Sequence, residues 1–137
     1  WFVNIPHDDV VFQSGLWSID ASEEPKLQAL LRDVADLVDK YGDVVPVKLY
    51  IGGCTDTVGD RMSNATLSRN RAQAIGQWLR ANGLNIPIFF SGFGESWLAV
   101  QTGDGVDNLL NRRAVYMLGA NPPPSSAGVP QTRWSAL

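Results

Sequence analysis

Apolar residues recur at helical spacing in two stretches of the chain and form short continuous runs between and after them. In the first stretch Leu27, Leu30, Leu31, Val34, Leu37, Val38 and Tyr41 fall on one face of a helix. Ser22 stands where it can cap that helix, and Glu23 and Glu24 suit the positive end of its dipole. Pro25 fits the first turn, and Gly42 falls where the helix stops. The second stretch opens with Asn64 as candidate cap, repeats through Leu67, Arg71, Ala74, Ile75 and Trp78, and ends near Asn82 and Gly83. Gly76 inside it costs about 1 kcal/mol relative to alanine, which close packing against a sheet would explain.

The continuous runs predict strands at Val10–Phe12, Val44–Ile51, Ile86–Ser91 and Arg112–Leu118, with Pro46 and Pro87 limiting pairing near two strand starts. The order is βαβαββ. Right-handed crossovers place both helices on the sheet, and the closing pair makes the sheet mixed. The expected fold is an α+β two-layer sandwich, two main helices on one face of a four-stranded mixed sheet; spacing alone leaves the strand order open. Residues 1–9 read as a lead-in, a short edge strand or core cover, and residues 10–120 as the domain. Residues 121–137 read as a tail that begins Pro- and Ser-rich, with Trp134 and Leu137 able to fold back onto the domain.

Composition adds mostly exclusions. With 137 residues, 45% hydrophobic and 18% charged, the chain suits one ordinary domain with tails. A net charge of −3 argues against nucleic acid as the main partner, because phosphate neutralisation needs a basic face. The single cysteine, Cys54, allows no internal disulfide, and with one histidine it makes no metal site, so no metal and no cofactor are expected. No run is long enough to span a bilayer, and Trp1 is not the start of a signal peptide. His7, beside two acids in the lead-in, reads as a solvated residue rather than a catalyst. No nucleophile elbow, phosphate loop or metal-ligand spacing is present. Asp56, Glu95 and His7 show no acid–base pairing at useful spacing, so no enzyme is expected.

Candidate chemistry gathers in residues 53–72, GCTDTVGDRMSNATLSRNRA. The first part is a polar loop leaving a strand and the second opens a helix, so Asp56 sits at a strand exit. Asn64 and Arg71 lie seven apart and share a helix face. Asp56 and Arg71 can pair with each other and pin loop to helix, the common structural situation. As a set with Asn64 they can instead hold a small zwitterion, the acid taking an ammonium and the guanidinium fork a carboxylate.

Four separated segments bear on that choice. Gly53-Cys54-Thr55-Asp56 is similar to a G-H-T-D strand exit, and Asn64-Ala65-Thr66-Leu67-Ser68-Arg69-Asn70-Arg71-Ala72 to N-x-x-L-S-x-x-R-A. Gly92-Phe93-Gly94-Glu95 is similar to a G-x-G-E turn, and Asn111-Arg112-Arg113-Ala114 to N-R-R-V. Together, over about Val10 to Gly119, they resemble OmpA-like domains, the periplasmic modules that anchor to peptidoglycan. The resemblance implies noncovalent binding of peptidoglycan through the diaminopimelate of its stem peptide. Asp56 would meet the ammonium and Arg71 the carboxylate; Asn64 and Leu67 would shape the wall, and Arg112 would add a second cationic contact. Gln13 stands where the family usually has an acid that helps line the pocket, and Cys54 stands where histidine is common; Cys54 reads as packed rather than reactive. Arg113 would point away from Arg112. Glu95 is expected to bond backbone amides, and Trp97 to wall the pocket or cover the core.

The resemblance places the domain in the periplasm, tethered to the outer membrane or envelope. Any signal, lipid anchor or barrel, and so any membrane contact, would lie outside this chain, and a homodimer is compatible with it. Gln13 and Cys54 favour one alternative: a degenerate domain that keeps the fold, has lost the ligand and serves as a protein-interaction module. A cell-wall hydrolase is a second alternative. A motor stator or secretion anchor uses the same module, which this chain does not distinguish.

Overall fold

The computed structural model describes residues 2–13 and 15–137; Trp1 of the lead-in and Ser14 of the first strand exit lie outside them. Two long helices, α1 (Glu24–Tyr41) and α2 (Arg61–Ala81), pack on one face of a mixed sheet. The strands are β1 (Phe2–Asn4), β2 (Lys48–Cys54), β3 (Ile88–Gly94), β4 (Arg113–Gly119) and β5 (Ser135–Ala136). Their spatial order is β1-β4-β2-β3-β5. β2 and β3 run parallel, as a helical crossover requires, and the remaining pairs are antiparallel.

The α+β sandwich is as expected, but the sheet has five strands, not four, and β3 and β4 do not form the expected closing pair, because β2 lies between them. Val10–Phe12 forms no ladder. The first strand lies upstream, where Phe2–Asn4 pairs with β4 and the Ile5 amide continues to the Tyr116 carbonyl at 2.9 Å. The other added edge is β5, from the C-terminal segment, with the Leu137 amide bonded to the Ile88 carbonyl at 2.9 Å.

Several boundaries also move, each for a local reason. β2 begins only after Pro46, which has no amide to donate, and continues through Gly52 and Gly53 to Cys54. α2 starts at Arg61, capped by the Asp60 carboxylate on the Ser63 amide at 2.9 Å, so Asn64 is already inside the helix. Asp20, not Ser22, caps the turn before α1, and the predicted first-turn proline is present. β3 extends to Gly94, and β4 begins at Arg113, two residues after the end of a 3-10 turn at Asn111.

Side chains of the sheet alternate between two cores. Leu49, Ile51, Ile88, Phe90, Tyr116 and Leu118 meet Leu27, Leu30 and Val34 of α1 and Ala72, Ile75 and Leu79 of α2. Tyr50, Phe93 and Met117 point the other way and are covered by the returning C-terminal segment. There the Trp134 ring packs edge-on against Tyr50 at 5.3 Å and Phe93 at 5.8 Å. Trp97 belongs to this second layer, 5.1 Å from Phe93, so it covers the core rather than lining a pocket. His7 is not solvated: its ring nitrogens lie 2.8 Å from the Ile5 and Ala114 carbonyls, and its ring packs at 88° to that of Tyr116, centroids 4.4 Å apart.

One contact sets the distance between α2 and the sheet. A Cβ on Gly53 would lie 2.2 Å from the Ser68 carbonyl oxygen, and one on Gly92 would lie 2.4 Å from both the Ala65 carbonyl oxygen and the Arg69 amide. The buried Ser68 hydroxyl donates to the Ala65 carbonyl and accepts the Gly94 amide, both at 2.9 Å, so helix and strand also share a hydrogen-bond relay. Gly92→Ala should therefore cost about 3 kcal/mol, the upper end of overpacking penalties. Gly103→Ala, with nothing within 4 Å of its Cβ position, should stay within about 0.5 kcal/mol of the parent in urea unfolding. Equal midpoints for the two variants would contradict this contact.

Candidate functional site

The parallel strands β2 and β3 end side by side, and the chain leaves β2 through Thr55, Asp56 and Thr57, all buried. Ligand sites in such sheets form beyond the carboxyl ends of the strands. Here a cleft of about 520 Å³ opens at that end, bordered by Asp56, Asn64, Leu67, Arg71, Asp107 and Arg112. The strand exit supplies Asp56, the N-terminal half of α2 supplies Asn64, Leu67 and Arg71, and the approach to β4 supplies Arg112. The cleft thus gathers five of the six sequence candidates. The sixth, Gln13, has an exposed side chain outside the lining; its carbonyl accepts from Arg71 at 3.2 Å.

Asp56 and Arg71 do not pair. Asp56 bonds Arg112 instead, Nη1 to Oδ2 at 2.7 Å, and takes the Val58 amide at 3.1 Å and the Asn108 amide at 3.2 Å. Burial pushes its pKa up, but these amide bonds and the guanidinium outweigh burial and hold it below the ordinary carboxylate value. Arg112 also pairs with Asp107, and the two carboxylates raise its pKa. Asp107 was not legible as a site residue. It lies in a long loop whose path follows no periodicity, and it brings a second acid to the cleft where Gln13 does not.

Arg71 is half-buried, stacked 5.0 Å over Phe12, with Nε bonded to the Leu16 carbonyl at 3.0 Å. Burial, and then the charge of Arg112, lower its pKa; an arginine nonetheless stays charged at any physiological pH. With Nε and one Nη2 bond spent on the loop before α1, its remaining N–H donors are available at the cleft. Asn64 bonds the Val58 carbonyl through its amide nitrogen at 2.8 Å, which leaves its oxygen to accept.

Buried polar groups hold the loop in place. Thr57 Oγ1 bonds the Gly103 carbonyl at 2.7 Å and the Val106 amide at 2.9 Å. The fully buried Asn111 side chain bonds both backbone groups of Val100. Glu95 pairs with Arg61 at 3.0 Å instead of with backbone amides. Arg113 packs on Trp97, opposite in direction to Arg112. Cys54 is buried and its thiol is pushed up to about 11, chiefly by burial, so it is a packed side chain.

Fold and cleft together define an α+β domain with a charged cleft at the carboxyl end of its parallel strands. The chain belongs to the OmpA family, whose sequence model matches residues 11–112. Comparison with curated proteins found no match. Among solved structures, the peptidoglycan-associated lipoprotein from Burkholderia pseudomallei superposes with a TM-score of 0.61 at 23% identity, covering 81% of this chain and 89% of that one. The cell wall anchor of the T6SS from Pseudomonas aeruginosa gives 0.59 at 23% identity, covering 88% and 81%. The C-terminal domain of Helicobacter pylori MotB gives 0.55 at 22% identity, covering 84% and 86%. At these identities the likeness is one of fold.

Asp56 has a depressed pKa in the folded state, so its stabilisation is complete above its unfolded value, about 4, and is lost as pH falls through the lower folded value. Asp56→Asn should cost about 1.5–3 kcal/mol at pH 7, the range for a charge-assisted hydrogen bond. In urea unfolding at successive pH values the gap between parent and variant should close below about pH 4. A gap that stays constant to pH 2.5 would contradict the assignment.

Proposed function

We propose that the domain is a noncovalent binding module that holds peptidoglycan through the free amino-acid end of diaminopimelate in its stem peptide. The observation that carries this reading is the joint placement of Asp56, Asp107, Arg71 and Arg112 around one small cleft. Two acids and two arginines give a site of no net charge with separated poles, which suits a zwitterion better than an anion or a cation. The ammonium meets Asp56 and Asp107, and the carboxylate meets the open donors of Arg71 and Arg112. Asn64 and Leu67 border the ligand's carbon chain. A lysine-type stem lacks that carboxylate and would leave a guanidinium unpaired, so the arginines set selectivity.

Membership of the OmpA family, and the peptidoglycan and cell-wall roles in the names of two structural neighbours, support the reading. The module would work in the periplasm and tether the protein that carries it to the cell wall. The cleft lining includes Asp56 but neither His7 nor Glu95.

One observation favours a second reading, a degenerate domain acting as a protein-interaction module: Asp56 already accepts three hydrogen bonds within the chain. For the ligand's ammonium to reach Asp56, Arg112 must release its Nη1 bond to that carboxylate. Calorimetry with a diaminopimelate tripeptide separates the two. Under the clamp, Arg71→Lys keeps the charge, loses the fork and weakens binding about 10–100-fold, and Asp107→Asn weakens it about tenfold. Gln13→Ala leaves it unchanged. No binding by the folded parent would favour the degenerate reading, and equal affinities across these folded variants would contradict the clamp.

A further inference from the structure

A second groove, of about 440 Å³, runs along α2 beside the cleft and shares Gly15 and Leu67 with it. Its character is different. Trp17 and Met62 stand at its edges, 51% and 79% exposed, and Ser63, Thr66 and Asn70 lie along it. These three, with Leu67, occupy one helical face at spacings of three and four. No residue lining the groove is charged. Among the described residues, the side chains of Thr66 and Asn70 make no hydrogen bond, although each is within a well-formed helix. Asn70 offers both donor and acceptor, and Thr66 a hydroxyl that can do either.

An exposed indole, an apolar floor and unspent neutral hydrogen-bonding groups suit a ring with one apolar face and polar substituents at its edge. A charged peptide residue would find no counter-charge here. We infer that this groove is a glycan subsite that receives an N-acetylated sugar of the strand whose stem peptide occupies the cleft. The sugar ring would stack on Trp17, and its hydroxyl and acetamido groups would bond Thr66 and Asn70. The inference rests on the peptidoglycan reading above. The shared wall at Gly15 and Leu67 gives the link: a ligand that fills one site continues into the other without leaving the surface.

The test compares three probes on the intact domain: a bare diaminopimelate tripeptide, the same peptide on its N-acetylglucosaminyl-N-acetylmuramoyl disaccharide, and the disaccharide alone. The disaccharide-bearing probe should bind about tenfold more tightly than the bare peptide, the gain from one stacking contact and one neutral hydrogen bond. Trp17→Ala and Asn70→Ala should each remove most of that gain and leave bare-peptide affinity unchanged. In saturation-transfer NMR the disaccharide alone should contact the Trp17 indole in the parent. Equal affinity for the two peptide probes, with the disaccharide silent, would overturn the subsite and leave the cleft reading standing. Disaccharide contact at Trp17 without peptide binding would uphold the subsite and overturn the clamp. Silence with all three would overturn both.

Discussion

The fit of α2 onto a floor of glycine is the contact on which the rest of this domain depends. Gly53 and Gly92 leave no room for a Cβ between strand and helix, and Ser68 bonds the Gly94 amide across the gap. This contact fixes more than packing. It holds the first turns of α2 against the carboxyl ends of β2 and β3, and so brings Asn64, Leu67 and Arg71 beside the strand exit that carries Asp56. A helix lifted by the width of a methyl group would keep a hydrophobic core lower down, at Ala72, Ile75 and Leu79, but would open the cleft. Site geometry here follows from backbone proximity, which only glycine permits.

Charge is then distributed over three separate parts of the chain. Asp56 comes from a strand exit, Arg71 from a helix, and Asp107 and Arg112 from the loop and turn before β4. Burial would neutralise an isolated Asp56; the amides of Val58 and Asn108 and the Arg112 guanidinium keep it ionised. Arg71 is instead tied by the backbone carbonyls of Gln13 and Leu16, which orient its fork without cancelling its charge. The cleft therefore contains one internal ion pair, Asp56 with Arg112, and one cation, Arg71, oriented by backbone carbonyls. The neutral groove next to it extends the same helix face away from the charges.

Both helices, the parallel pair at their crossover and the two-layer class were readable from the sequence, because a 3.6-residue repeat and glycine stops are local signals. Spacing also put Asn64 and Arg71 on one helical face, but by itself it favoured a structural pairing of Asp56 with Arg71; Leu67 and Arg112 entered as site candidates only through the resemblance of four separated motifs. What escaped depends on partners far along the chain. Val10–Phe12 has strand composition but no partner in a ladder, whereas Phe2–Asn4 and Ser135–Ala136 are strands only because β4 and β3 have open edges. Asp60 displaced Asn64 as helix cap by one turn, a choice between two good capping residues that spacing does not decide. Asp56 chose Arg112 over Arg71, and Asp107 entered the cleft, because a loop fastened by Thr57 and Asn111 carries them together. Neither fastening has a sequence period; the only hint was two polar residues that end up buried.

The cleft is proposed as a zwitterion clamp selective for diaminopimelate. Its most direct test is calorimetric titration of the unmodified domain with a diaminopimelate-containing stem peptide and, in parallel, its lysine-containing counterpart. A clamp of this kind gives saturable heat with the first and none with the second. Heat of equal size with both, or with neither, would contradict it.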